Sequence, residues 1–229
     1  MQQTLGTISG RLSRGIQRRL GPNIVSRALN ELQNRSFSSQ SYWEQRYQSG
    51  GDSGAGSFGT NAKFKAQFLN EFAAQSQISS VLELGCGDGN QLDLYQFPHY
   101  RGYDVSPRAI ELCKAKFEHD TSKSFHLHTQ TAHPLMDKAE LTLSIDVIFH
   151  LVEQHIFEAH LRDLFAASTR YVIIFSTAFD KRHESPHHCD RDFRQHISDN
   201  FNQFRLSQIV ENPFKGNDSQ ADFFVYQKT

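Results

Sequence analysis

Three glycines and one aspartate carry the clearest chemical signal in the sequence. Gly85, Gly87 and Gly89 alternate directly after the strand-like run at residues 81–84, a pattern in which main chain can approach a ligand closely at the carboxyl edge of a parallel sheet. Asp104 ends a second strand-like run 15 residues after Gly89, where a carboxylate can accept hydrogen bonds from both hydroxyls of a ribose. Together these residues predict a site for a ligand that contains a ribose.

The glycine spacing and the acid that precedes it argue against a dinucleotide ligand. The glycines follow G-x-G-x-G, whereas dinucleotide folds use G-x-G-x-x-G. Glu83 stands beside them, and its carboxylate would repel a pyrophosphate. S-adenosylmethionine (SAM) has no phosphate and carries an ammonium and a sulfonium, so an acidic rim suits it. A dehydrogenase is therefore disfavoured.

At these positions the sequence resembles the class I SAM-dependent methyltransferases, over roughly residues 41–229. Residues 83–89 resemble the first motif of that family, and residues 102–106 resemble the second. The resemblance implies that SAM is the cofactor and S-adenosylhomocysteine (SAH) the product. The cofactor-binding residues that we expect are Glu83, Gly85, Cys86, Gly87, Asp104, Val105, Ser144 and Ile145.

The resemblance also implies a role for several of these residues. Gly85 and Gly87 would line the methionine and ribose portions of SAM, Glu83 would support its amino-acid end, and Asp104 would hold its ribose. Cys86 has no base beside it in the sequence and is interpreted as a packing residue. The family often has an acid after the third strand that contacts adenine, whereas this sequence has His, Thr and Gln at 128–130, so adenine contacts are not assigned.

Residues 141–151 resemble the family motif on the fourth strand, whose carboxyl end faces the reactive methyl group. They lack the Asn/Asp-Pro-Pro-aromatic run common in enzymes that methylate exocyclic amines of bases, so base methylation is disfavoured. Methyl transfer is an in-line displacement, in which the protein positions the nucleophile and removes its proton if it is a hydroxyl. Our catalytic candidates are His150, Asp146 and His188, with a structural histidine as the alternative at position 150.

Residues 183–192 follow the fifth predicted strand and contain three histidines, one cysteine and several acids. The spacing His-x3-His-His-Cys matches no common structural zinc framework, and the adjacent His187 and His188 would rarely both reach one ion. We therefore expect no metal here and favour substrate recognition.

The residues that we expect to bind substrate are His187, Arg191 and Tyr47. Arg191 has the geometry to hold a phosphate or carboxylate through two parallel hydrogen bonds. The alternative for Arg191 is a surface ion pair with Asp190 or Asp192. Tyr47 belongs to an aromatic segment that precedes a glycine-rich loop.

Strand-like runs alternate with helical patterns beyond Ile78, which predicts right-handed βαβ units and a parallel sheet. Two strand-like runs at the end of the chain predict an antiparallel hairpin. The fold class is α/β: a three-layer doubly wound sheet, mostly parallel, with a C-terminal antiparallel hairpin and an N-terminal helical extension. Predicted strands cover 80–84, 100–104, 124–128, 141–145, 171–176, 205–210 and 222–227, and predicted helices cover 88–95, 107–117 and 152–167.

The 229 residues are many for one small domain and few for two, which favours one domain with an appendage. Residues 1–40 are predicted to form a basic amphipathic helical extension, and residues 41–229 the methyltransferase domain. Within that domain, residues 41–77 are predicted to cap the cofactor and residues 78–229 to form the Rossmann-like core. Five glycines between positions 50 and 59 suit a loop that closes on a ligand, or a plain flexible linker.

Charge is unevenly distributed along the chain. Residues 1–40 contain six arginines and one acid, hence +5, which leaves −6 for the rest of a chain of net charge −1. An acidic body argues against a nucleic-acid substrate, because phosphate neutralisation drives such binding. The extension is interpreted as a cap on the main domain. A weak membrane or protein contact through residues 1–35, or a mitochondrial transit peptide, is the alternative.

Three cysteines at wide spacing argue against a disulfide framework and for a reducing compartment, so we expect a cytoplasmic protein. The longest strongly apolar stretch, residues 171–175, is far shorter than the roughly 20 residues that cross a bilayer. The sequence thus predicts an enzyme that methylates a small-molecule acceptor, first of all a hydroxyl of a sugar or glycan precursor. An N- or S-methyltransferase and a non-catalytic SAM-binding protein are the alternatives.

Overall fold

The described chain alternates strands and helices as far as a terminal pair of strands. The computed structural model describes residues 37–128, 137–183, 185–216 and 219–229. The strands are β1 (Ser80–Leu84), β2 (His99–Asp104), β3 (Lys123–Leu127), β4 (Ala139–Ile145), β5 (Ser168–Ser176), β6 (Lys181–Arg182), β7 (Cys189–Asp190), β8 (Phe204–Val210) and β9 (Asp222–Lys228). The α-helices are α1 (Ser39–Gln48), α2 (Gly59–Gln75), α3 (Pro107–Lys116), α4 (Gln154–Ala167) and α5 (Arg194–Asn200).

Seven strands form one sheet in the order β3-β2-β1-β4-β5-β9-β8. The pairs from β3 to β5 are parallel, whereas β9 runs antiparallel to both β5 and β8. This topology confirms the predicted α/β sheet, mostly parallel, with a C-terminal antiparallel hairpin. Of the helical extension predicted for residues 1–40, residues 1–36 lie outside the described residues.

Helices cover both faces of the sheet, because its central strands are apolar on both sides. Alternate residues of a strand point to opposite faces, so Val81 and Leu82 of β1 enter two different core clusters. Helix α2 packs Phe64, Phe68 and Phe72 against the first cluster. Helix α4 contributes residues three and four apart to the second: Phe157, Leu161, Leu164 and Phe165. The result is the three-layer arrangement predicted from the alternating pattern.

The helix predicted for residues 88–95 is wrong. The structure has only a short 3-10 helix, Gln91–Leu94. The carboxylate of Asp88 accepts hydrogen bonds from the main chain of Asn90 at 3.1 Å and from its side-chain amide at 3.0 Å, and Gly89 has a left-handed φ of 75°. Local side-chain bonds of this kind compete with helix formation, so the turn replaces the first helical turns.

The structure adds three elements that sequence patterns did not predict. Strands β6 and β7 pair antiparallel between the fifth predicted strand and the C-terminal hairpin, where no strand was predicted, and helix α5 follows them. Helix α5 buries only Ile197, so it has no repeating apolar pattern from which it could be recognised. Helix α2 is the longest described helix at 17 residues, and no helix in the described part of the chain is long and apolar enough to span a membrane.

We expect a chain that begins at Ser36 to fold and to keep its cofactor affinity. Residues Ser39–Thr229 form one compact unit that contains the whole sheet and the glycine motif. Circular dichroism melting and gel filtration of the shortened and full-length chains would test this expectation. Aggregation of the shortened chain would contradict it, and would show instead that the apolar residues of segment 1–35 cover the core.

Candidate functional site

The glycine loop after β1 adopts a conformation that other residues rarely take. Gly85, Gly87 and Gly89 have φ values of 89°, 57° and 75°, in the left-handed region that favours glycine. A Cβ at Gly85 would lie 2.4 Å from the Val147 side chain, and one at Gly87 would lie 2.3 Å from the hydroxyl of Ser53. Neither glycine could be replaced without moving its neighbours.

Asp104 lies at the carboxyl end of β2 and holds the glycine loop. Its carboxylate accepts hydrogen bonds from the main-chain N–H of Gly87 at 3.0 Å and of Ser106 at 2.9 Å. Burial raises the pKa of Asp104 to about 6, although these main-chain bonds oppose the rise. The side chain is 8% exposed and therefore lies within the edge of the sheet, where the motif predicts it.

Glu83 is buried in β1 and paired with a tyrosine. The hydroxyl of Tyr100 donates a hydrogen bond to Glu83 at 2.5 Å. Burial raises the pKa of Glu83 to about 7, against the opposing effect of that hydrogen bond and of the charge of Lys65. Sequence reasoning missed Tyr100, whose position in β2 opposite β1 follows only from the strand pairing.

The other expected cofactor residues differ in how far their side chains are buried at this edge of the sheet. The sulfur of Cys86 packs on Gly102, where an added Cβ would lie only 2.9 Å away, in agreement with a packing role. Val105 is half-buried, and Ile145 belongs to the first core cluster. The hydroxyl of Ser144 is fully buried and lies 2.8 Å from Nε2 of His160 in α4, so a cofactor contact there is left to the main chain.

The glycine-rich segment from residue 50 to 57 packs on the glycine loop. The side chain of Arg46 donates to the carbonyl of Asp52 at 2.6 Å. Ser53 donates to Asp88 through its N–H at 3.1 Å and its hydroxyl at 2.7 Å. The hydroxyls of Tyr47 and Ser53 lie 3.1 Å apart, and Tyr47 is buried. The segment therefore lies against the glycine loop, and its role as a cofactor cap stays a prediction.

Asp146 follows β4 and forms an ion pair with a buried lysine. Nζ of Lys65 in α2 pairs with the carboxylate of Asp146, and the Lys65 side chain is 1% exposed. The same Nζ lies 5.4 Å from the ring centroid of Phe175. Asp146 has a φ of 57°, which is uncommon outside glycine. Sequence reasoning missed Lys65, although its spacing from the buried Leu69 places both on one helical face.

His150 ends a 3-10 helix, Ile148–His150, just beyond Asp146. Its Nδ1 lies 2.9 Å from the carbonyl oxygen of His187. A carbonyl only accepts hydrogen bonds, so Nδ1 carries the proton and Nε2 keeps its lone pair. Burial lowers the pKa of His150 to about 3, and the imidazole is therefore neutral.

His150 and five other aromatic and imidazole rings form a group that we call the ring cluster. The edge of Trp43 meets His150 with centroids 4.9 Å apart, and Tyr42 stacks on His187 at 4.4 Å. Phe149 stacks on His188 at 5.0 Å. The structure thus brings together the predicted residues His150, His187 and His188 with Tyr42, Trp43 and Phe149.

Asp190 accepts hydrogen bonds from two histidines. Nε2 of His183 lies 2.7 Å and Nε2 of His188 lies 3.1 Å from its two carboxylate oxygens. Burial opposes ionisation of Asp190, but the hydrogen bonds from His183, Thr177 and His188 lower its pKa. His188 therefore lies in a histidine–carboxylate arrangement, the kind that orients an imidazole for proton transfer or for metal binding.

Arg191 contacts the start of α4. Its guanidinium donates to the side chain of Gln154 at 2.6 Å and to the carbonyl of Val152 at 2.7 Å. The ion pairs of Asp190 and Asp192 are made instead with histidines and with Arg194. A role of Arg191 in holding a substrate stays a prediction.

The region expected to contact adenine is described only in part. Nε2 of His128 lies 2.8 Å from the buried carboxylate of Asp163 in α4. Residues 129 and 130 lie outside the described residues. The structure therefore shows the partner of His128, and the residues that contact adenine are still not assigned.

Solved structures of methyltransferases share this fold at low sequence identity. Magnesium protoporphyrin IX methyltransferase (ChlM) from Synechocystis PCC 6803 with bound SAM matches with a TM-score of 0.62 and 14% identity, over 85% of this chain and 99% of that chain. The N-methyltransferase NodS from Bradyrhizobium japonicum WM9 in complex with SAH has a TM-score of 0.59 and 14% identity, over 73% and 87%. The methyltransferase domain of bacterial CtHen1 has a TM-score of 0.59 and 18% identity, over 72% and 97%.

Sequence comparison identifies the family. No curated protein matches the chain, but residues 58–212 match the family described as methyltransferase domain. That match spans well over half of the 229 residues and includes the glycine loop, Asp104 and Asp146. The chain therefore belongs to the methyltransferase domain family and is an enzyme of the class I SAM-dependent kind, as its motifs predict.

Proposed function

We propose that the chain transfers the methyl group of SAM to a hydroxyl of a small molecule, such as a sugar or a glycan precursor. The observation that carries this proposal is the hydrogen bond between Nδ1 of His150 and the carbonyl of His187. It leaves Nε2 of His150 as a proton acceptor beside the carboxyl end of β4. Hydroxyl groups need such a base, because their pKa is far above neutral.

The residues at the sheet edge fit SAM. An added Cβ at Gly85 or Gly87 would fall on side-chain atoms of Val147 or Ser53, so the loop exposes only main chain here, as a cofactor cradle requires. Polar atoms of Tyr47, Ser53 and Asp104 border Gly87. We assign Gly85 and Gly87 to the methionine and ribose portions, Asp104 to the ribose hydroxyls and Glu83 to the amino-acid end.

The charge at this edge also suits SAM. Glu83, Asp88 and Asp104 are all at least 91% buried, since 5%, 9% and 8% of them are exposed, and Asp146 adds a fourth carboxylate beside Lys65. Acidic groups at a poorly hydrated site attract a cationic ligand. The sulfonium and ammonium of SAM supply that positive charge.

His150 performs the proton transfer in the proposed reaction. SAM supplies a methyl group on a sulfonium, and the positive charge of that sulfonium disappears when the methyl leaves. His150 takes up the hydroxyl proton at Nε2 while the acceptor oxygen forms its bond to the methyl carbon. The total charge around the acceptor is unchanged, which offsets the cost of placing a proton on a buried imidazole. Trp43 and Phe149, which flank His150, exclude water from the reacting atoms.

Asp146 has a positioning role in this proposal. Its carboxylate is paired with Lys65, so its charge is balanced by the lysine. A paired carboxylate can still accept a hydrogen bond from a second hydroxyl of the acceptor. We therefore place Asp146 as the residue that orients the acceptor, and His150 as the base.

We expect Asp104→Ala to weaken SAM and SAH binding by about 1.5–3 kcal/mol, the usual scale for lost hydrogen bonds to a charged group. Calorimetry would measure the loss, with Asp199→Ala as a control, because Asp199 is an exposed aspartate at the end of α5.

Ribose hydroxyls donate best to the ionised carboxylate of Asp104, whose pKa is about 6 in the free protein. Affinity should therefore fall as pH decreases through about 6, and Asp104→Asn should flatten that dependence. Unchanged affinity in both variants would show that Asp104 does not hold the cofactor.

We expect Gly87→Val to abolish cofactor binding. Its side chain would enter space beside Ser53 and Tyr47 and would take a φ of 57°. Gly59→Val is the matched control, since Gly59 has a φ of 61° with no atom within 4 Å of its added Cβ. Both variants should lose stability from backbone strain, by about 1–3 kcal/mol, but only Gly87→Val should lose SAH in calorimetry. Normal SAH affinity in Gly87→Val would contradict the cradle.

We expect His150→Ala to lower the rate of methyl transfer by about 10²- to 10⁴-fold while SAM affinity stays within a factor of about two, the pattern of a lost general base. Single-turnover transfer from radiolabelled SAM to a panel of monosaccharides and sugar nucleotides would identify an acceptor and measure the rate. His126→Ala is the control, because His126 is exposed on β3. An unchanged rate in His150→Ala would favour an amine or thiolate acceptor that needs no base.

A further inference from the structure

Three side chains at the β6–β7 hairpin lie close together, and the sequence did not indicate this proximity. One ligand atom from each of His183, His188 and Asp190 lies within 4.8 Å of the other two. Both histidines point Nε2 at the same carboxylate, at 2.7 Å and 3.1 Å, and their ring centroids are 4.1 Å apart. In the described part of the chain, this group has the composition and spacing of a metal-ligand set.

The convergence is built into the fold. Strand β6 pairs with β7 so that Lys181 faces Asp190, which fixes where the hairpin begins and ends. The Asp190 side chain is 3% exposed, and the hydroxyl of Thr177 donates to its carboxylate at 2.6 Å. Hydrogen bonds from outside the ligand set are what orient the carboxylate ligands of metal sites.

We infer that His183, His188 and Asp190 bind a divalent transition metal ion of the zinc class. Two imidazole nitrogens and one carboxylate oxygen are a common ligand set for catalytic zinc and related ions, which keep a further position open. The side chains of His183 and His188 are 29% and 30% exposed, so an ion and an exchangeable ligand can reach them from solvent. Asp190 supplies the buried anionic ligand.

The expectation of no metal in this region depended on a different set of residues. It counted His183, His187, His188 and Cys189 by their linear spacing and did not include Asp190 as a ligand. In the structure His187 stacks on Tyr42, whereas His188 turns to Asp190. The hairpin brings His183 beside His188 and Asp190, and a linear spacing cannot show this contact.

The position of the site gives the metal a role in acceptor binding. His188 belongs to the ring cluster and contacts Phe149 and His150 there, so the ligand set adjoins the other rings of that cluster. The open coordination position would take an oxygen atom of the acceptor, a hydroxyl or a carboxylate, and hold it beside His150. This second step rests on the proposed function, whereas metal binding itself does not.

Metal titration of the full chain, without an affinity tag and after chelator treatment, tests the inference. Co²⁺ followed by visible absorption, and Zn²⁺ in competition with a chromophoric chelator, should each bind at one equivalent per chain. His183→Ala and His188→Ala should each lower affinity by more than the roughly 10- to 100-fold that is typical of changes around metal ligands. His119→Ala, which removes a histidine that is 93% exposed, should leave binding unchanged.

A chain that binds no ion at micromolar concentration, or variants at 183 and 188 that bind like the unaltered chain, would overturn the inference. The three residues would then only stabilise the β6–β7 hairpin through hydrogen bonds. Thr177→Val keeps all three ligands and offers a second variant should an alanine variant fail to fold. It should retain one equivalent with about tenfold weaker binding, and unchanged affinity would count against the inference.

Activity separates this inference from the proposed function. If the ligand variants lose the one equivalent of metal and the unaltered chain methylates no hydroxyl, the metal site would be supported and the proposed function contradicted. Hydroxyl methylation at an unchanged rate after metal removal would overturn the acceptor-binding role of the ion. A rate that falls on removal and returns with Zn²⁺ would support that role.

Discussion

The hydrogen bond from the main-chain N–H of Gly87 to the carboxylate of Asp104 joins the ends of two neighbouring strands. Parallel strands end together at one edge of a sheet, and the turns after them have no regular partners for their main-chain groups. Asp104 supplies such a partner and holds the glycine loop in its left-handed conformation. Ser53 then packs against Gly87 and bonds to Asp88, so the placement of segment 50–57 depends on the shape of this loop.

Burial leaves the carboxyl groups at this edge poorly solvated, and a nearby cation would offset that loss. Burial raises the pKa of Glu83 to about 7 and that of Asp104 to about 6, because a carboxylate that leaves water loses solvation. Lys65 balances Asp146, but it only partly offsets the burial of Glu83. A bound sulfonium and ammonium would favour the ionised forms, so the energy lost when these carboxyl groups were buried is partly recovered on cofactor binding.

The sequence predicted the elements whose signals are local. Strand β1 matches its predicted bounds, residues 80–84, because a buried strand next to alternating glycines has few alternatives. The prediction of a helix at residues 88–95 was wrong, because the Asp88 side chain accepts a hydrogen bond from the nearby main-chain N–H of Asn90 and so favours a turn. The pairing of Lys65 with Asp146 and of His183 with Asp190 depends on three-dimensional packing. A single sequence shows which residue types are present but not which of them pair. Helix α5 was missed because a single buried residue makes no repeating pattern.

The side chains from Asp190 to His150 form one connected series of contacts. Thr177 and the two histidines fix the carboxylate of Asp190, and His188 is thereby held against Phe149. The residue before it, His187, presents its carbonyl to Nδ1 of His150, and this bond decides which nitrogen of His150 carries the proton. The orientation of the proposed base is therefore set 40 residues away in the sequence, at Asp190. An ion bound at Asp190 would fix the same series more firmly, because coordination replaces two hydrogen bonds that either imidazole can release when it rotates.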